Sequence, residues 1–230
     1  MAFCDELRAV SEGIWQRELE HPFVRGIGDG SLQPERFRFY LEQDYLFLID
    51  YARVFALAVS KAPDLAAMSE FAKLCAETLG VEMELHRSAC AEFGVTPAQL
   101  EAVQASQTTR GYTGHLIQVA ATGGLADIVA AVLPCQWGYA EVARHLEAQG
   151  MPEEPRYRKW IEMYASPEFE DYGRWLRAQM EDLAPALSSE GRERLKSHFH
   201  TSSRWEYLFW EMAWRMDMWA VPEEQPRALQ

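Results

Sequence analysis

The sequence predicts an all-α protein, a single multihelical domain over residues 1–220 with about eight to ten helices. Three observations carry that prediction. Apolar and aromatic residues recur three and four apart through long stretches, the period of a helix face. No alternating run bounded by turn residues reads as a strand. The stretches are punctuated by Pro and Gly where helices start and stop, with no internal repeat and no Ser/Gly-rich linker.

Residues 3–19 place Leu7, Val10, Ile14 and Trp15 at helical spacing, and His21-Pro22 is expected to end that helix. Residues 23–33, with Gly26, Gly28 and Gly30, read as a loop. These glycines follow no strand and precede no phosphate-binding pattern, which argues against a nucleotide loop. Ser31-Leu32-Gln33-Pro34 opens a long helix with Phe37, Tyr40, Leu41, Tyr45, Phe47, Leu48, Tyr51 and Phe55. Pro63-Asp64 starts another, to about Phe93 and Gly94, with Asp64 suited to its N-terminus. Thr96-Pro97 opens residues 97–105, and a further helix spans about 109–122 before Gly123-Gly124. The next spans about 125–148 and stops at Gly150-Met151-Pro152. Helices over 155–165 and 167–183 follow, and Ser188-Ser189-Glu190 opens a last one to about Trp219. The polar, Pro-containing tail 221–230 is expected to fray.

Composition narrows the function. The chain has 230 residues and a formal net charge of −13. That charge disfavours non-specific contact with nucleic acid or an anionic membrane surface, so neither is an expected partner. Four scattered cysteines, at 4, 75, 90 and 135, form no CxxC pair and read as reduced thiols of a cytoplasmic protein. Met1-Ala2-Phe3-Cys4-Asp5-Glu6 has neither the basic region nor the apolar run of a signal peptide. No stretch approaches the ~20 apolar residues of a membrane span.

Three helices each set one reactive group among aromatic residues. Asp44 sits within the aromatic face of the helix that opens at Pro34, where an aspartate is costly unless hydrogen-bonded; a solvated edge position is the alternative. Cys135 follows Pro134 in an apolar helix and shares a face with Tyr139, one turn on. Pro134 lacks the N–H that would satisfy the Ala130 carbonyl, so a bend is expected there. Taken locally, an inert core cysteine is the commoner reading. Glu206 lies inside the run Trp205 to Trp214, where burial would raise its pKa and suit it to proton transfer. Pairing with Arg53 or Arg204 is the structural alternative. Tyr51, Tyr112, Tyr139 and Tyr164 add phenols. A thiol, two carboxylates and flat walls suit attack on a planar nitrogen heterocycle. Glu82/His86 and Glu141/His145, four apart, have metal-ligand spacing, but such pairs usually lie on helix surfaces, and that reading is preferred. The remaining histidines, His21, His115, His198 and His200, supply no second clean inward pair for a di-iron site.

The order of motifs resembles the TenA (thiaminase II) family. The matching segments are Gln43-Asp44-Tyr45, Cys135-Gln136-Trp137-Gly138-Tyr139, Tyr157-x-x-Trp160-Ile161-x-x-Tyr164 and Glu206-Tyr207-x-Phe209-Trp210-Glu211. The resemblance covers nearly the whole chain and implies a haem-oxygenase-like helical bundle. It implies hydrolysis of aminomethyl-pyrimidine to hydroxymethyl-pyrimidine and ammonia, with thiamin as a further substrate. It makes Cys135 the nucleophile, Glu206 the proton donor and acceptor, and Asp44 the partner of the aminopyrimidine edge. Tyr139 and Tyr164 would line the pocket, Tyr112 would sit near the thiol, and Phe47 and Tyr51 complete the substrate-binding set. No metal, haem or organic cofactor is implied, and a homotetramer is. Family members often carry a tyrosine where this chain has Phe47, which leaves thiol activation and substrate choice open. Two other functions stay open: a metal-dependent oxidase on the same fold, and a pyrimidine-binding protein without catalysis.

Overall fold

A computed structural model describes residues 2–221; the tail expected to fray lies outside them except for Val221. Twelve α-helices occur among the described residues, and no strand. They are α1 (Phe3–Ala9), α2 (Glu12–Leu19), α3 (Pro22–Asp29), α4 (Pro34–Lys61), α5 (Leu65–Glu77) and α6 (Met83–Glu92). After them come α7 (Pro97–Glu101), α8 (Gln107–Thr122), α9 (Leu125–Gln149), α10 (Pro155–Tyr164), α11 (Pro167–Leu183) and α12 (Ser189–Arg215). Side-chain caps begin many of them. Asp64 accepts from the Ala67 N–H, Ser106 from Thr109, Ser166 from Phe169 and Ser188 from Gly191. Each such cap stabilises its helix by about 1 kcal/mol.

The packing is centred on α9, which runs against α12, α11 and α10. From Ile128 to Leu133 every residue is at most 1 % exposed, so this stretch is buried all round. The helix continues through Pro134 without a break. The long helix α4 packs against α5, α6 and α8, and α8 in turn lies against α12. The helices α4, α8, α9 and α12 thus meet along one interior seam.

Five expectations are corrected. The first helix is two: Ser11 interrupts it, buried, with its hydroxyl 3.2 Å from Nδ1 of His200. The expected loop at 23–33 is largely α3. Nδ1 of His21 caps it by accepting from the Phe23 N–H, Pro22 opens it, and Gly30 closes it at φ 77°. Phe23, Val24 and Ile27 are fully buried. Burial of each contributes roughly 1.5–3 kcal/mol, more than the ~1 kcal/mol that each helical glycine costs. The helix expected over 64–93 is divided by a π-helical turn, Thr78–Glu82. A π turn is not legible from apolar period, since it inserts only one residue. The last helix ends at Arg215, four residues early, with Met216 left-handed at φ 55°. The helix expected over 97–105 is also shorter, ending at Glu101.

Candidate active site

The three reactive groups expected from sequence face the same interior region. Cys135 (α9) keeps part of its surface open although its neighbours Leu133, Pro134 and Gln136 are all buried. Open space therefore borders the thiol deep inside the bundle. The Tyr51 hydroxyl (α4) and the Glu206 carboxyl (α12) lie close enough to this thiol to shift its titration. Tyr51 also lies 3.4 Å from the Val132 carbonyl.

Glu206 is 2 % exposed and accepts a 2.5 Å hydrogen bond from the Tyr112 hydroxyl (α8). Among the described residues no arginine reaches it: Arg53 pairs with Asp50, and Arg204 is exposed. Burial raises its pKa to about 8; the Tyr112 bond opposes this, the Asp44 charge adds to it, and the nearby Cys135 thiol opposes it. Burial also pushes the Cys135 thiol well above its usual range, helped by the charges of Glu206, Glu82 and Asp44, while the nearby Tyr51 hydroxyl pulls it down. The resting thiol is therefore protonated, and a base has to take its proton before it attacks. A carboxyl that titrates near 8 is matched to that task at neutral pH.

Asp44 is buried, and not at a solvated edge. Its Oδ2 lies 2.6 Å from Nε2 of His86 (α6) and 3.4 Å from the Tyr40 hydroxyl. Tyr40 in turn lies 3.4 Å from the Tyr139 hydroxyl and accepts from Trp160 Nε1 at 3.2 Å. Tyr164 donates to Oε1 of Glu82 at 2.9 Å and packs its ring 5.0 Å from that of Tyr139. Trp210 completes this wall, with its ring 5.0 Å from Tyr139. Phe47 fills the other wall, 5.3 Å from Tyr51, 5.0 Å from Tyr112 and 5.8 Å from Phe209. Gly111 lets this side close up: a Cβ there would meet the Trp205 ring at 2.5 Å, and Trp205 stacks parallel to Tyr112.

The Glu82/His86 pair, expected on a helix surface, does not lie there. His86 is fully buried and belongs to Asp44, and Glu82 belongs to Tyr164. Burial lowers the His86 pKa, but the charge and hydrogen bond of Asp44 and the Glu82 contacts outweigh it, and the net shift is upward. Burial raises Glu82 to about 7, with the Asp44 charge adding and His86 and Tyr164 opposing. A groove of about 320 Å³ lined by Thr78, Val81, Glu82, Gln136 and Met163 opens beside this carboxyl. The second spaced pair does lie toward the surface: half-buried Glu141 binds Arg8, and half-buried His145 meets exposed Gln149. The four residues of an oxidase site are therefore split between two places. Among the described residues no cluster of three or more His, Cys, Asp or Glu is gathered for a metal ion.

Phe47, Tyr51, Tyr112, Tyr139 and Tyr164 all surround this region. His86, Glu82 and Tyr40 were missed. The spacing of Glu82 to His86 was visible, but nothing in one sequence told a buried pair from an exposed one.

Comparisons with known proteins converge on one group. Residues 8–216 match the model of the TENA/THI-4/PQQC family. A Halalkalibacterium halodurans protein named aminopyrimidine aminohydrolase is 44 % identical over 220 residues, 95 % of this chain and 98 % of that one. A TenA homologue from P. horikoshii superposes with a TM-score of 0.86 at 32 % identity, covering 94 % of this chain and 99 % of that one. A Shewanella denitrificans domain of unknown function, described as having a heme oxygenase-like fold, aligns at TM-score 0.73 over 93 % and 92 %. At 15 % identity that last likeness establishes the fold alone.

Proposed function

This chain belongs to the TENA/THI-4/PQQC family, and from that premise we propose that it is an aminopyrimidine aminohydrolase. It is an enzyme that hydrolyses 4-amino-5-aminomethyl-2-methylpyrimidine to the 5-hydroxymethyl compound and ammonia, a step of thiamin salvage. The name of the 44 % identical relative supports the reaction class. The observation that carries the mechanism is the thiol of Cys135 beside a buried carboxyl, Glu206, which accepts from Tyr112 and whose pKa is raised to about 8.

The steps follow from those groups. Glu206 in its ionised form takes the thiol proton as Sγ of Cys135 adds to a pyrimidine ring carbon, opening its C=N π bond and moving that electron pair onto the ring nitrogen, from which it later expels ammonia. The protonated Glu206 returns a proton to the exocyclic amine, and the C–N bond breaks to release ammonia. Water adds to the exposed methylene carbon and gives its proton to Glu206. The C–S bond then breaks, and the thiolate recovers the proton. Glu206 thus serves as base and acid in turn. Tyr51 stands where it can stabilise the thiolate, the part that Phe47, with no hydroxyl, cannot play. Asp44 receives the ring-amino edge, and Tyr139, Tyr164 and Trp210 hold the ring by its faces.

Thiamin fits the same scheme with the thiazole as leaving group, and we assign it as a slower substrate. The protein acts in the cytoplasm, an assignment supported by its four free thiols; no helix among the described residues is long and apolar enough to cross a membrane. Leu65, Leu79 and Val81 stand 81 %, 50 % and 63 % exposed, which supports burial of this α5–π edge in a homotetramer. Light scattering at four times the 26.4 kDa chain mass checks that assembly.

The test is Cys135→Ala. Ammonia release from the aminomethyl-pyrimidine should vanish while the circular dichroism of the fold stays. Turnover at the native rate would remove the thiol from the mechanism.

A further inference from the structure

Asp44 does not hold its place alone. His86 is 0 % exposed, and each of its ring nitrogens has one partner. Nδ1 lies 2.9 Å from the main-chain carbonyl of Glu82. A carbonyl only accepts, so Nδ1 carries a hydrogen. Nε2 lies 2.6 Å from Oδ2 of Asp44, the short distance of a charge-assisted bond. Tyr40 stands against the same oxygen. Both contacts thus fall on Oδ2, and Oδ1 takes no hydrogen bond from the described residues. Nor is Oδ1 sealed in: among the described residues the fully buried side-chain atoms without a partner are Glu18 Oε1 and Arg36 Nε. Oδ1 therefore borders open space.

The anchor of this arrangement is the π turn. Glu82 is its last residue, and it reaches the site twice, through its carbonyl to His86 and its carboxyl to Tyr164. One residue thus ties the imidazole behind Asp44 to a phenol of the ring-binding wall. π turns recur at functional sites because the inserted residue redirects groups that a regular helix would spend on its own ladder.

We propose that His86 is a positioning residue that clamps Oδ2 of Asp44 and turns Oδ1 toward the ring-amino group of the substrate. On this basis the preference for an aminopyrimidine over a pyrimidine without that amino group depends on His86, which never touches the ligand. The proposal rests on the reading of Asp44 given above. A histidine that merely fills the core would contribute to stability and leave that preference alone.

Calorimetry on the full chain tests this without needing turnover. Two ligands are titrated: 4-amino-5-hydroxymethyl-2-methylpyrimidine and the same molecule lacking the ring amino group. The native protein should prefer the first by roughly 10- to 100-fold, the yield of one hydrogen bond to a charged group. His86→Leu should bring the ratio close to one. His86→Gln keeps one N–H donor toward Asp44 and should give an intermediate ratio. A native ratio in folded His86→Leu overturns the proposal. If that variant does not fold, His86→Gln decides: a ratio reduced at least about threefold supports the clamp, and an unchanged one overturns it. Asp44→Asn separates the two readings. If it too keeps the native ratio, Asp44 does not bind the amino edge and both readings fall. If it loses the ratio while the His86 variants keep it, only the clamp falls.

Discussion

Replacing Glu206 by glutamine should cut activity sharply and, at neutral pH, make the protein more stable. Glu206 is 2 % exposed and its pKa stands at about 8 against an ordinary value of 4.5. Between those values the unfolded chain has released this proton and the folded chain still holds it. The unfolded state therefore binds fewer protons, and stability falls as pH rises, by about 1.4 kcal/mol per unit. At pH 7 the accumulated cost is roughly 3 kcal/mol, and it stops growing above about pH 8, where both states are ionised. Glutamine does not titrate, and its amide oxygen can still accept from Tyr112. Its NH2 group, left without a sure acceptor beside the thiol, costs about 1–3 kcal/mol, so the net gain at pH 7 is on the order of 1 kcal/mol. For a chain of this length that is a rise in Tm of about 2–4 °C. The pH dependence is the cleaner signal, since the cost of the amide is the same at every pH. Urea unfolding of both proteins at pH 5 and pH 8 should show the stability difference growing in favour of Glu206→Gln by roughly 3 kcal/mol. Ammonia release should fall about 10²- to 10⁴-fold, the usual contribution of a general acid–base group. Parallel stability curves would refute the raised pKa, and retained turnover would refute the proton-transfer role.

Two further substitutions probe the thiol's surroundings. Phe47→Tyr sets a second hydroxyl beside Tyr51 and Tyr112, and should raise kcat/KM for the aminomethyl-pyrimidine by roughly 5- to 10-fold through one added hydrogen bond; an unchanged value in a folded variant would mean that Tyr51 alone suffices. Pro134→Ala restores a donor for the Ala130 carbonyl one residue before the thiol, and should lower kcat/KM by roughly tenfold, consistent with the sensitivity of catalysis to small displacements. Full activity would remove Pro134 from the positioning of Cys135.

Where the sequence was legible, side-chain chemistry and apolar period agreed. The aromatic faces of α4, α9 and α12 were readable because each is long enough to repeat its pattern several times. Asp44, Cys135 and Glu206 stood out because each is polar or reactive inside such a face. The helix α3 was missed because local glycine content outweighed Phe23, Val24 and Ile27, whose burial depends on partners far along the chain. His86 was missed for a related reason. Its spacing from Glu82 matches countless exposed pairs, and only the packing of α6 on α4 turns the imidazole toward Asp44. The π turn that places Glu82 has no signature of period at all. Sequence thus displayed the groups that would touch a substrate more readily than those that hold them in place.

The most direct measurement is a side-by-side determination of kcat/KM for 4-amino-5-aminomethyl-2-methylpyrimidine and for thiamin with the purified native protein. Ammonia should appear in equal amount with the hydroxymethyl-pyrimidine, with kcat/KM at least about tenfold above that for thiamin, a difference of about 1.4 kcal/mol in transition-state binding. Tight binding of the aminopyrimidine with no ammonia released, or thiamin as the better substrate, would contradict the assignment.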